Sequence, residues 1–263
     1  RIISRRTRKR IPMQLEEAEH TDGPDLPEAY RPLAALQTNT SHSIPLYGSR
    51  ITTYTDGRSK MEALLTEIAC AKHHIHIQYY ILNDDETGRR LRDALIAKAR
   101  EGVEVRILYD NVGSSGAKKS FFRSMRSEGI EVYAFLHVKF PLFTSKVNYR
   151  NHRKIAVIDR CVGFLGGMNI ADYYINGLPK IGTWRDMHMR IEGDAVNDLQ
   201  EIFLTIWNKE TKQNIGGEIY FPQHEDSTNI VVAIVDRTPK KNSRMLSHAY
   251  ACLLYTSDAA DDK

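Results

Sequence analysis

Alternation of apolar and polar residues marks HHIHIQYYIL (73–82) as a strand, with Ile75, Ile77, Tyr79 and Ile81 on one face and His74, His76, Gln78 and Tyr80 on the other. SRITTYTDG (49–57) reads as a strand closed by an Asp56-Gly57 turn signal, and MEALLTEIACA (61–71) as an amphipathic helix with apolar residues three and four apart. TGRRLRDALIAKAREG is a helix stopped at Gly102, and it leads into the apolar strand VEVRILYD. FFRSMRSEGIEVYAF is a further helix and strand, and KIAVI (154–158) is a β-branched, apolar strand. In AVNDLQEIFLTIWNKE, which Asp194 can cap, Val196, Leu199, Phe203, Ile206 and Trp207 form a core-facing stripe. Strands alternating with helices make the class α/β.

Residues 1–43 lack this periodicity. The first ten, RIISRRTRKR, carry six Lys or Arg and no acid, and residues 11–43 are a linker rich in Pro, Glu, Thr and Ser with at most one short helix. Order is expected from near Ile44, and the first domain closes by residue 213. The formal charge of the 263-residue chain is +4, but its basic arm and acidic last twelve residues leave 11–251 near neutral. A neutral body argues against a protein built to neutralise many nucleic-acid phosphates. The basic arm suits a segment held against anionic lipid, and a solvated arm accounts for it equally well.

From residue 214 to 251 the chain repeats its opening pattern: NIVVAIVDRTPKKNSRMLSHAYA reads again as strand, polar turn, helix. Residues 252–263, CLLYTSDAADDK, resemble a translated sequencing adapter and are set aside from fold reasoning. Without Cys252, only Cys70 and Cys161 remain. They fit buried thiols in a reducing compartment better than a disulfide framework.

The richest chemistry lies in NHRKIAVIDRCVGFLGGMN, residues 151–169. It contains His152, Lys154 and Asp159 as H-x-K-x4-D, followed by Gly166, Gly167 and Asn169 as G-G-x-N. A period of two puts His152 and Lys154 on one face. A neutral imidazole attacks phosphorus, and an ammonium beside it neutralises the phosphoryl oxygens as charge builds. The Gly-Gly step allows close backbone approach to a ligand, and the Asn169 amide supplies a further hydrogen bond. Asp159 has the opposite parity, beside the polar turn at Arg160, and is read as an orienting or turn-stabilising carboxylate. An ordinary hairpin would explain a lone His-x-Lys, but not the whole set. Asp110, Gly113 and Ser114 follow a buried strand, where either ligand contacts or a turn are expected. His73, His74 and His76 invite a zinc reading, but no carboxylate or cysteine stands at ligand spacing.

These residues carry a resemblance. The 151–169 stretch is similar to the HKD motif of the phospholipase D superfamily, and NYRNHRKIAVID, GGMNIADYY and TWRDMHMRIEGDAV resemble segments of the bacterial cardiolipin synthases, over roughly Ile51 to Trp207. The resemblance implies a phospholipase D-like domain, a mixed β-sheet flanked by helices on both faces, over 44–213, with the truncated start of a second such domain at 214–251. It implies transfer of a phosphatidyl group between two phosphatidylglycerol molecules through a phosphohistidine, with His152 as nucleophile and Lys154 and Asn169 on the nonbridging oxygens. Asp186 matches the acidic residue that accepts a hydrogen bond from the motif histidine. An ion pair with Arg185 or another cation is its structural alternative. No metal or other cofactor is implied.

The implied partners are phosphatidylglycerol, anionic membrane lipid and a missing second HKD half, at the cytoplasmic side of a bacterial membrane. Its histidine would serve as acid and base; no second H-x-K stands in this sequence, as His224 and His248 have no lysine two residues on. Which of the two histidines is the nucleophile stays open on one motif. So do two other readings: a dimeric phosphodiesterase or nuclease with one motif per subunit, and a binding module retaining the fold. Phe140, Leu142 and Phe143, around Pro141, suit either acyl chains or packing on their own domain.

Overall fold

The computed structural model describes residues 26–41, 43–135, 150–179, 182–222 and 228–236. Two compact units emerge, one of Arg1–Ser49, Gly193–Ala195 and Gln223–Lys263, the other of Arg50–Glu192 and Val196–Pro222. In the first, helix α1 (Arg31–Ser41) precedes an antiparallel bridge of Leu46 to Val232, whose backbones exchange hydrogen bonds of 2.8 and 2.9 Å. Residues 228–236 make only this bridge where a strand was expected, and the helix expected after them lies outside the described residues.

The second unit carries a seven-stranded sheet. In chain order its elements are β1 (Arg50–Tyr54), α2 (Gly57–Cys70), β2 (His74–Tyr79), α3 (Glu86–Arg100), β3 (Glu104–Asp110), α4 (Lys119–Arg126), β4 (Glu131–Phe135), β5 (Ile155–Ile158), β6 (Val162–Gly166), α5 (Tyr173–Asn176), β7 (His188–Glu192) and α6 (Ala195–Thr211). The strand order is β1-β7-β6-β5-β2-β3-β4. β2, β3 and β4 run parallel through helical crossovers, and the remaining pairs are antiparallel, so the sheet is mixed.

Side-chain alternation divides the core. Ile75, Ile77, Tyr79, Val105 and Ile107 pack with Met61, Leu64 and Ile68 of α2, Leu91 and Leu95 of α3, and Phe121, Phe122 and Met125 of α4. On the other face Leu108 meets Phe203, Leu204 and Trp207 of α6. Helices therefore cover both faces, as expected. Asp56-Gly57 does not turn the chain back, however. The Asp56 carboxylate accepts Ser59 N–H at 2.8 Å and caps α2, which begins four residues before the expected start. Gly102, at φ +91°, ends α3 as the sequence suggests. Cys70 and Cys161 are exposed, contrary to expectation, because one ends α2 on its solvent side and the other follows the β5–β6 turn. The cluster Phe140, Leu142 and Phe143 lies outside the described residues.

The polar face of β2 is buried against α6. His76 Nδ1 donates to Gln200 Oε1 at 3.1 Å, Arg106 Nη1 donates to His76 Nε2 at 3.2 Å, and the His76 ring stacks on Phe203 at 4.4 Å. These bonds fix a neutral imidazole, and burial, then the neighbouring His74 and Arg106, hold its pKa well below the usual value. His74 lies 4.5 Å from His76, ring to ring, and burial lowers its pKa to about 4. The two histidines are thus core groups.

A histidine buried neutral stabilises the fold above its unfolded-state pKa, and that stability drains away as pH falls toward the folded value. Between the ordinary value of 6.5 and about 4, His74 is expected to cost on the order of 3 kcal/mol. Urea midpoints across this range should fall in the wild type and less steeply in His74→Leu. Equal slopes would contradict the assignment.

Candidate active site

The site begins with β5. Ile155, Ala156, Val157 and Ile158 are buried, and the strand pairs on both edges, with β2 and β6. The ladder to β2 starts at Ile155 opposite Gln78, so His152 and Lys154 stand just ahead of the strand rather than inside it as expected. They are released from sheet pairing.

Asp159 sits at the other end. Asp159 and Arg160 have φ of +50° and +67°, and Cys161 N–H returns to Ile158 O at 3.1 Å, giving the two-residue turn that matches a right-twisted hairpin. The Asp159 carboxylate accepts the backbone N–H groups of Lys72, His73 and His74 at 2.6, 2.7 and 2.9 Å. It thereby locks the β5–β6 turn to the start of β2, about 20 Å along the chain from His152.

A second carboxylate fixes the entry. Asp110, buried at the end of β3, accepts Val112 and Gly113 N–H at 2.9 and 3.0 Å and Asn151 N–H at 3.3 Å, with Arg150 Nη1 at 3.7 Å. Ser114 Oγ donates to Tyr80 O and accepts Leu82 N–H, so the Asp110–Ser114 turn also braces the residues after β2. Tyr80 then stacks on His152, centroids 4.1 Å apart and planes 17° from parallel. Lys154 Nζ lies 5.5 Å from the Tyr80 centroid and donates to His152 O at 2.5 Å. His152 is exposed while Lys154 is buried.

Gly166 pairs with His188 of β7, and a Cβ there would come within 2.5 Å of the His188 Cα. At Gly167 a Cβ would stand 2.0 Å from the Asp186 carboxylate. The close approach these glycines allow is thus to Asp186 and His188. Asn169 is buried: Oδ1 accepts Ile81 N–H at 3.0 Å, and one Nδ2 N–H donates to Tyr174 Oη at 2.7 Å. Asp186 accepts its neighbour Met187 N–H at 2.7 Å and opposes the lowering of the Lys154 pKa. No hydrogen bond joins it to His152 among the described residues, nor does it ion-pair with Arg185 there. The structure thus gathers His152, Lys154, Gly167 and Asp186 near one another, with Asn169 as a strut beneath them and Asp159 remote.

Sequence reasoning missed Tyr80, Tyr174 and the bracing role of Asp110. Tyr80 falls one residue past β2, where alternation no longer governs direction. Burial and the Lys154 charge lower the His152 pKa, against the pull of Asp110, so the imidazole is neutral at neutral pH. Lys154 is lowered by burial as well. Such a pair offers a nucleophilic or proton-accepting nitrogen beside a cation in a partly dry setting, suited to an anionic ester.

Among solved structures, the fold is similar to phosphatidylserine synthase of Haemophilus influenzae, with TM-score 0.50 and 13% identity over 88% of this chain and 48% of that one. The family profile described as cardiolipin synthase, PLD-like domain, matches residues 64–214. The chain belongs to this phospholipase D-like family. It is 40% identical to the cardiolipin synthase of Oceanobacillus iheyensis over 227 residues, 86% of this chain and 47% of that protein. It is 45% identical to the cardiolipin synthase of Alkalihalophilus pseudofirmus over 174 residues, 66% of this chain and 35% of that protein. The chain spans about half the length of the curated relatives it matches, or less.

The His152 ring should titrate below 6.5. In Lys154→Met, loss of the adjacent cation should raise that pKa. Ring-proton chemical shifts followed against pH check both, and a value unmoved in the variant would place the ammonium too far away to act on the ring.

Proposed function

We propose that this chain carries the first HKD motif of a cardiolipin synthase. Residues 44–213 are the first phospholipase D-like domain, and 214–251 begin the second. The observation that carries the reading is the exposed, neutral His152 held on Tyr80 beside the buried Lys154, in a chain of this family.

In this reading a His152 nitrogen attacks the phosphorus of phosphatidylglycerol. An N–P bond forms, the P–O bond to the terminal glycerol breaks, and a second imidazole, supplied by the other motif, gives the departing alkoxide its proton. That second group then takes the proton of a primary hydroxyl on another phosphatidylglycerol, whose oxygen displaces His152 to give cardiolipin. Lys154 neutralises the nonbridging oxygens. Asn169 holds Tyr174 through one amide N–H and offers the other to a nonbridging oxygen, and Asp186 balances Lys154 at the Gly167 step.

The substrates place the site at an anionic bilayer, which the basic first ten residues also favour, on the cytoplasmic side. Among the described residues no helix is long and apolar enough to cross a membrane.

In the complete reading frame, His152→Ala should reduce cardiolipin formation from phosphatidylglycerol in mixed micelles to background. Lys154→Ala should cost on the order of 3 kcal/mol in kcat/KM. Near-normal cardiolipin formation in either variant would overturn the mechanism.

A further inference from the structure

Behind Lys154 lies a polar row that the chemistry above does not use. Lys60, in the first turn of α2, is 1% exposed, and its Nζ sits 4.6 Å from the centroid of the Tyr79 ring. Tyr79 in turn lies parallel to His188, centroids 6.5 Å apart and planes 8° from parallel. The His188 ring occupies the space left by Gly166, where a Cβ would be 2.6 Å from Nδ1. Lys60 Nζ, Tyr79 Oη and both ring nitrogens of His188 are buried, and none makes a hydrogen bond among the described residues.

Among the described residues the charged groups around α2 are paired: Arg190 of β7 with Glu67 of α2 and with Glu192, Arg50 of β1 with Glu192, and Arg90 of α3 with Glu62. The other titratable groups are Tyr54 of β1, Tyr79 of β2, Tyr173 and Tyr174 of α5, His188 of β7, and Lys154 ahead of β5, on which Asp186, just before β7, acts. Burial, then Lys60 and then Lys154 depress the His188 pKa well below its usual value, so this imidazole feels both ammonium groups. Lys60 itself is lowered to about 7 by burial, with no carboxylate to hold it up. Methionine or leucine would fill its place without the cost of burying an unpaired amine. The cost is recovered only if an anion arrives.

We propose that Lys60 is a positioning residue for the phosphodiester: a second, buried cation behind Lys154 that takes up a proton when the anionic group binds and holds it through the low-dielectric row of Tyr79 and His188. This rests on the reading of the His152–Lys154 site as a phosphodiester site. It adds that the affinity of the site for an anion is set partly from inside the domain. Burial keeps His152 and His188 neutral above about pH 6.5. Lys60 is therefore the member of the row that changes charge between there and about pH 9.

The test is calorimetric binding of soluble dihexanoyl phosphatidylglycerol to the whole chain. Near pH 6.5, Lys60→Met should weaken the Kd roughly fivefold, a screened Coulomb effect across the row. Wild-type affinity should decline by a similar factor toward about pH 9, and the variant should decline less, keeping only what Lys154 contributes. The variant should melt no lower than the wild type, because it loses only an unpaired amine. If Lys60→Met fails to fold, the Lys60 Cε chemical shift in the wild type decides, and its titration midpoint must rise when lipid saturates the site. Unchanged affinity and pH dependence in Lys60→Met, or an unmoved midpoint, would overturn the proposal. Lys154→Ala separates the two readings. If it binds lipid as tightly as the wild type, the phosphodiester site itself is wrong; if it weakens binding while Lys60→Met does not, only the role of Lys60 falls.

Discussion

Everything at the site depends on β5 being immovable. Its four residues are buried on both faces and paired on both edges, so the strand cannot slip by one residue without turning every side chain to the wrong layer. Two carboxylates then fix its ends. Asp159 gathers three backbone N–H groups from the start of β2, and Asp110 takes the N–H of Asn151, immediately before His152. Hydrogen bonds to a charged acceptor are worth about twice a neutral one, and each carboxylate here receives three from backbone N–H groups. The motif aspartate therefore acts on His152 from a distance, by setting the hairpin on which the histidine is carried.

Held in this way, His152 and Lys154 need no further sheet pairing. One ring face of His152 is covered by Tyr80, and the backbone carbonyl of His152 is tied to the Lys154 ammonium. Burial and the nearby cation favour the neutral imidazole, the form with a free lone pair. The buried row of Lys60, Tyr79 and His188 extends the positive region inward, toward α2. For the proposed phosphodiester chemistry, cations held in low dielectric are preorganised, since they need not reorient as charge develops.

Much of this was legible in the chain. The period-two runs located β2, β3 and β5, the helical stripes located α2, α3 and α6, and the H-x-K-x4-D spacing located the site. What stayed hidden required contacts remote in sequence. The Asp159 partners lie more than eighty residues upstream. Asn169 reads as a ligand-facing amide, and its bonds to Ile81 and Tyr174, which take its oxygen and one N–H, cannot be read from the chain. Gly166 and Gly167 read as room for a ligand, and the space is taken at Gly166 by His188 and Met187 and at Gly167 by the Asp186 carboxylate. A lysine in the first turn of a helix reads as a surface residue, and nothing local distinguishes Lys60, whose burial comes from the strands across which its side chain lies.

The central claim is that His152 forms a covalent bond to phosphorus. Phosphohistidine withstands an alkaline quench and is lost in acid, so the complete protein can be quenched at high pH during turnover of phosphatidylglycerol and its peptides mass-mapped. The account predicts a phosphatidyl adduct on His152 that accumulates before cardiolipin appears and disappears on acid treatment. An adduct on a different histidine, with His152 unmodified throughout turnover, would contradict it.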